Sequence, residues 1–518
     1  MSLSRQTINR RKFTALLGAS AITFNVSAAF AQSGDQPSIS TVGEGMPFSI
    51  NAVSDLARQL SKKPFVPPSR NMPDVFANLN YEQYASIRSD SSSFVWANEN
   101  WGFAIEPLHR GFVFSNMVRL YTVEDGVVRR IPYDQKRFSF GSLEVPPNLP
   151  EDLEYSGFRL HSKEDQNFTE FAIVQGATFF QAIARGQNYG SIARALTLKP
   201  ADMRGEEFPV FKAFWIERPT AGSNALVING LIDSESTSGS IRLTFRPGEM
   251  TIVDVEMTLF PRAALEHIGI GAIGSRFFFS PNENKKFDDL REAVHDANGL
   301  GIHNGQDEWL WRPLKNPESL QISQFMDKNP KGFGLIQRYR DYTAYRDDSR
   351  HLEKCPSVWI EPLGEWGEGV VQMIEIPSDA EINSNILTYW RPGATIAAGS
   401  EVTFNYRQYW CWNLPERPQL ATVTSTRSGK GSSNRRRKYL VEFSGDNLTE
   451  PAIHELKADI TARPGSISNI NIWRYTDQKT IRVTFEMDPG NENASELRLV
   501  LMAGDKPASE IWLYRWTA

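Results

Sequence analysis

Cysteine is almost absent from this chain. Cys355 and Cys411 are the only two in 518 residues, so a disulfide framework is excluded and at most one bridge can form. Histidine is thin as well, with seven in all. The pair in the most suggestive setting, His295 and His303 in "VHDANGLGIHNG", has no third ligand at zinc spacing, and "DANGLG" lacks the carboxylate rhythm of a calcium loop. No metal is therefore expected. Basic charge is also short: 56 Lys and Arg stand against 61 Asp and Glu, for a net charge of −5. That balance argues against nucleic acid or anionic lipid as the main partner. Phosphate loops of the Walker type and GxSxG nucleophile elbows are missing from the mature chain. "GIGAIG" at 269–274 matches GxGxxG, but that fingerprint needs a strand before it and a helix opening at its end. Here "SRFFFSP" follows, which reads as a strand broken by Pro281. A nucleotide site is excluded, and no cofactor is expected.

The chain also lacks a long apolar run. The stretch from Ala15 to Phe24 is too short for a membrane span and is interrupted by Ser20 and Thr23. Before it stands the twin-arginine pattern Asn9-Arg10-Arg11-Lys12-Phe13, and after it the small-residue exit Ala29-Phe30-Ala31. Residues 1–31 therefore read as a twin-arginine signal peptide, cleaved after Ala31, which directs a folded protein to the bacterial periplasm. Its loss leaves 487 residues and moves the net charge from −5 to −9, because Arg5, Arg10, Arg11 and Lys12 leave with it.

What the chain has in quantity is aromatic and strand-forming sequence. Aromatic residues make up 11%, with 13 Trp, 15 Tyr and 31 Phe, which suits a packed core and equally a surface that stacks sugar rings. "TIVDVEMTLF" (251–260) sets Val253, Val255, Met257 and Leu259 on one face and Ile252, Asp254, Glu256 and Thr258 on the other, the period of a half-buried strand. "IRLTF" before it makes a hairpin across Pro247-Gly248. The same alternation recurs at 481–487, 496–502 and 510–516, and the best helical pattern is "VSDLARQLSKK" at 53–63. The fold class is all-β, built of sandwiches. Near residue 415 the text changes to "TSTRSGKGSSNRRRKY", a Gly/Ser/Arg-rich loop between strands, and the hundred residues beyond have the rhythm of an immunoglobulin-like sandwich. The run Arg435-Arg436-Arg437-Lys438 reads as a solvated turn.

Three stretches mix Trp or Tyr with Glu, Asp or Arg: "FWIERP" (214–219), "FGLIQRYRDYTAYRDD" (333–348) and "PSVWIEPLGEWGEG" (356–369). Sugar sites need this mixture, since pyranose faces stack while hydroxyls ask for charged partners. Buried ion pairs between strands use the same residues. Together with "GFRLH" (157–161), "GEEFPVFKAFWIERP" (205–219), "VHDANGL" (294–300), "FGLIQR" (333–338), "PSVWIEPLGEWGEGVVQMIEIP" (356–377) and "EIWLYRW" (510–516), these blocks resemble the osmoregulated periplasmic glucan biosynthesis proteins of types G and D. The likeness covers nearly all of the mature chain. The twin-arginine signal resembles type D more than type G.

The resemblance implies a large N-terminal β-sandwich, residues 32–410, joined to a smaller immunoglobulin-like C-terminal sandwich, residues 416–518. It implies work on β-1,2-glucan in the periplasm, by inverting hydrolysis or by transfer of the cleaved end to another sugar. Inverting hydrolysis needs one carboxylic acid to protonate the leaving oxygen and one carboxylate to activate water. The family's carboxylate in the "VHD" block falls on Asp296, assigned as general base. The family's acid falls just before "NI" in "EINSNILTYW" (381–390), and this position is Ser384. A serine hydroxyl is a poor general acid near neutral pH.

Three explanations stay open at this point. Another carboxyl, with Glu381, Asp379 or Glu361 as candidates, takes over; or glycosyl transfer proceeds by an altered proton route; or the protein binds glucan without cleaving it and assists a membrane glucan synthase. Trp359, Glu361, Trp366, Tyr389 and Trp390 are the candidate sugar contacts, although the aromatic ones suit a core equally well. The sequence leaves a homodimer and a Cys355–Cys411 bridge open.

Overall fold

The strand Met250–Pro261 buries Val253, Val255, Met257 and Leu259 completely, while the side chains between them face outward. It pairs antiparallel with Thr237–Arg246 across Pro247-Gly248, and its other edge pairs with Val402–Cys411. The computed structural model describes residues 42–518, apart from 166, 282–286, 450–455, 476 and 478. The expected signal peptide lies outside the described residues. Within them the protein is all-β.

Those three strands sit in the middle of a fifteen-stranded sheet whose edges are Val127–Arg130 and Leu456–Arg463. A ten-stranded sheet, running from Phe103–Leu108 to Gln321–Lys328, packs on it face to face. Aromatic rings join the two layers: Phe158 meets Phe214 edge to face at 5.1 Å, and Phe171 and Phe180 both meet Phe245. Alternating inward residues of two sheets make such a core about 10 Å thick.

The C-terminal strands continue the large sheet edge to edge. Ile511–Thr517 pairs in parallel with Trp309–Pro313, setting Leu310 beside Ile511 and Trp311 beside Trp512. A four-stranded sheet, Thr422–Lys430, Arg437–Ser444, Thr480–Asp488 and Ser466–Arg474, covers this region. Its Tyr439, Phe443 and Phe485 share a core with Leu499, Trp512 and Tyr514, and with Trp309, Trp311 and Trp359 from the other side. Arg338 bolts the junction: it donates to the Glu510 carboxylate at 2.6 Å and the Val423 carbonyl at 2.7 Å, with its guanidinium 3.6 Å from the centre of the Trp311 ring.

Two expectations need adjustment. The segment from Thr424 to Lys430, expected as loop, is strand, because its backbone is paired with Arg437–Ser444 as far as Lys430 opposite Arg437. The turn is confined to residues 431–436, so Arg437 and Lys438 also belong to a strand. The helix is Ile50–Leu60 rather than 53–63. Val53, Leu56, Ala57 and Leu60 form its buried stripe, and Arg262 donates to the carbonyls of Leu60 and Lys63 at 2.7 and 2.8 Å, satisfying its C-terminal acceptors.

Candidate functional site

Asp296 follows the two-residue strand Val294–His295, which pairs with Phe277–Phe279 so that Phe277 lies opposite His295. This pairing brings Asp296 against Arg276, and the backbone amide of Asp296 donates to the Arg276 carbonyl at 3.0 Å. The Arg276 side chain then grips the carboxylate with two hydrogen bonds of 2.7 Å, in a place where Asp296 is 1% exposed. A bidentate guanidinium makes charge-assisted hydrogen bonds roughly twice as strong as neutral ones. Arg350 adds a second cation 3.6 Å from the same carboxylate.

Arg350 is itself placed by a local turn. The Asp347 carboxylate accepts from the amide and hydroxyl of Ser349 and from the amide of Arg350 at 2.7–3.0 Å. Burial, and then the positive charge of Arg276, push the Arg350 guanidinium down to about 9. Its other nitrogen reaches Glu381 at 3.9 Å. Glu381 is held more closely by Arg291, at 2.7 Å, and Arg291 also pairs with Asp289 and Asp347. Burial lowers the Arg291 pKa, and these carboxylates more than reverse that, leaving it raised. Arg276, Arg291 and Arg350 thus face Asp289, Asp296, Asp347 and Glu381 in one lattice of alternating charge.

Ser384 stands at the edge of this lattice. Its hydroxyl donates to the Ser275 carbonyl at 3.4 Å, one residue before Arg276. Gly274 leaves room here, since a Cβ on it would lie 3.0 Å from the Ser384 Oγ. The neighbouring Asn385 fixes the segment: its side chain accepts from the Phe277 amide at 2.8 Å and donates to the Phe277 and Ile376 carbonyls. Cys355 closes the other side, its thiol 3.7 Å from the Tyr189 carbonyl and 3.8 Å from Asp296, and burial pushes the thiol up to about 12. His295 lies flat on Phe277 and is pushed down to about 3 by burial, against the pull of Asp296.

The fold therefore gathers Asp296, Glu381 and Ser384 around Ser275-Arg276 and Arg350. Among the other carboxyl candidates, Asp379 is exposed on the loop before Glu381, and Glu361 accepts the hydroxyl of Tyr409 on the large sheet. The aromatic candidates lie in the interior. Trp359, 4% exposed, stacks on Trp309 at 5.7 Å within the second core. Trp366 and Trp390 pack on each other at 6.1 Å, with Tyr406 against Trp366. Tyr389 is fully buried, with His267 at 2.8 Å and Gln372 at 2.6 Å from its hydroxyl. In this arrangement these rings pack against the protein interior. The sequence reading missed Arg276, Arg291 and Arg350, although Asp347 lay inside one of its three mixed stretches.

A model of the family described as "Periplasmic glucan biosynthesis protein, MdoG" matches residues 48–516. The chain is 42% identical over 479 residues to a "Glucans biosynthesis protein G" of Bradyrhizobium diazoefficiens, covering 92% of this chain and 94% of that one. It is 39% identical over 513 residues to the protein of the same name from Rhodopseudomonas palustris strain BisA53, covering 98% and 100%. A Vibrio cholerae protein of that name is 41% identical over 476 residues, covering 91% of this chain and 87% of its own.

Proposed function

The chain belongs to the MdoG family of periplasmic glucan biosynthesis proteins, and from that premise we propose that it holds β-1,2-glucan in the periplasm, after twin-arginine export, without cutting it. The observation that supports this reading is the Ser384 hydroxyl turned to the Ser275 carbonyl, at the position that the resemblance assigns to the general acid. A hydroxyl bound to a neutral acceptor offers no proton of useful acidity to a glycosidic oxygen. The surrounding carboxylates do not replace it as they stand. Asp296 is gripped by Arg276 and Glu381 by Arg291, so each carboxylate is already engaged by a guanidinium instead of being free to face a glycosidic oxygen.

Cleavage is the second reading, and one observation favours it. Arg350 reaches both Asp296 and Glu381, at 3.6 and 3.9 Å. Two carboxylates on either side of one guanidinium are compatible with the ~6.5–9.5 Å separation that inverting glycosidases leave for a water molecule. In that reading Asp296 is the base and Glu381 the donor once Arg291 lets it go.

Incubation of the mature protein with linear β-1,2-glucan, followed by mass spectrometry of the products and calorimetry of binding, separates the two. The holding function predicts a binding isotherm and unchanged glucan. Shorter or cyclic products that vanish in Asp296→Asn and in Glu381→Gln contradict it and establish the second reading.

A further inference from the structure

A cavity of about 370 Å³ opens on the far side of the wall that carries Tyr189. Its polar floor comes from three neighbouring strands, Phe103–Leu108, Gly157–Glu164 and Asn167–Gln175. Antiparallel register sets Glu106 directly opposite Arg159. The Arg159 guanidinium lies between two carboxylates, 3.2 Å from Glu106 and 3.4 Å from Glu170. Tyr189 donates its hydroxyl to Glu170 at 2.8 Å, His161 meets the second oxygen of Glu106 at 3.1 Å, and Gln175 donates to the Tyr84 hydroxyl at 2.8 Å. Phe138 and Phe179 supply apolar lining.

This combination constrains the ligand. The volume lies within the ~300–1,000 Å³ of small-molecule sites. The floor is too polar for an apolar guest, and its two carboxylates against one guanidinium disfavour an anion. Adjacent carboxylate and guanidinium groups instead match vicinal hydroxyls, which donate to one and accept from the other, while tyrosine and phenylalanine rings offer a face for a pyranose ring.

The cavity also adjoins the charged lattice. Tyr189 and Ile192 line it, and Gln181, also in its wall, donates to the carbonyls of Gly190 and Ser191. The opposite side of the same segment packs on the lattice. A Cβ on Gly190 would stand 3.4 Å from that of Asp296, and the Ser191 hydroxyl bonds to that of Ser275 at 3.1 Å. A ligand in the cavity is therefore one residue's thickness from Asp296 and Ser384.

We propose that this cavity seats a glucosyl unit of the bound chain, with Glu106, Arg159, Glu170 and Tyr189 as its hydroxyl contacts. The inference rests on the glucan-holding reading above and names where the chain is gripped. It is tested by calorimetry of the mature protein with linear β-1,2-gluco-oligosaccharides, using Glu170→Gln, Tyr189→Phe and the cavity-filling Ile173→Trp, with thermal melting to confirm folding.

Glu170→Gln and Ile173→Trp are expected to weaken binding at least tenfold, and Tyr189→Phe several-fold. Wild-type affinity in the folded variants overturns the cavity assignment while leaving glucan binding intact. No binding by the wild-type protein overturns the functional reading and the cavity with it. Crystals soaked with the trisaccharide give an independent answer if a variant fails to fold. Sugar density in the cavity supports the assignment, and density elsewhere alone overturns it.

Discussion

Arg276 holds Asp296 twice over, through its backbone carbonyl at 3.0 Å and through the Nε and Nη2 of its guanidinium, each at 2.7 Å. The residue expected from the resemblance to be the general base is thus also the centre of a buried ion lattice. Any substitution there changes stability as well as chemistry.

Asp296→Ala is expected to destabilise the protein by about 3–5 kcal/mol, because it leaves the buried Arg276 charge uncompensated. The double variant Asp296→Leu with Arg276→Met removes both charges and recovers part of that loss. Denaturant midpoints of the three proteins check the ordering. A single variant as stable as the wild type contradicts the buried-pair account.

Acid is expected to weaken the fold well above the carboxylate range. Burial lowers His109 to about 4 and His295 to about 3, so both are neutral in the native state at pH values where the unfolded chain, near ~6.5, takes up protons. Their contribution is complete above pH ~6.5 and is lost progressively as pH falls from there toward those folded values. Melting temperatures between pH 7.5 and 4.5 measure the slope. His295→Phe flattens it, since the titrating ring is gone while the stacking on Phe277 is kept; the Nε2 of His295 has no hydrogen-bond partner among the described residues, and its Nδ1 meets the Tyr345 hydroxyl at 3.3 Å.

Cys355 and Cys411 are both free and buried, and each thiol is pushed up to about 12 by burial. Thiol-specific reagents at pH 8 are expected to leave the native protein unmodified and to titrate two thiols after denaturation. Rapid labelling of the folded protein contradicts this placement, as does a disulfide in it.

Trp366→Ala is expected to cost about 3–5 kcal/mol, as for other buried large aromatic side chains, and to leave the glucan affinity of the folded protein unchanged. Calorimetry alongside denaturation separates packing from recognition. A stable variant that has lost glucan affinity makes Trp366 a sugar contact.

Much of the fold was legible because strand alternation is a local signal. Val253, Val255, Met257 and Leu259 lie inside as their spacing requires, and the turn at Pro247-Gly248 falls where its residues place it. "GIGAIG" was legible by exclusion. It is the buried strand Ile268–Ser275, whose Gly269 and Gly274 make room for Tyr389 and Ser384 rather than for a phosphate. Three things were not legible. Composition hid the strand within Thr422–Lys430, since Ser, Gly and Arg read as loop until a partner strand pairs with them. The charged lattice was hidden because Arg276, Arg291 and Arg350 come from three distant segments, and only tertiary pairing brings them to Asp296 and Glu381. Trp359, Trp366, Tyr389 and Trp390 read equally as core or sugar platform, because burial is not encoded in a single motif.

The most direct test of the holding function is the gain of activity in Ser384→Asp. Linear β-1,2-glucan is incubated with the wild type, with Ser384→Asp, and with the double variant Ser384→Asp/Asp296→Asn, and products are read by mass spectrometry. The account predicts intact glucan with the wild type, shortened chains with Ser384→Asp, and their loss in the double variant. Cleavage by the wild type at a rate that Ser384→Asp does not raise contradicts it.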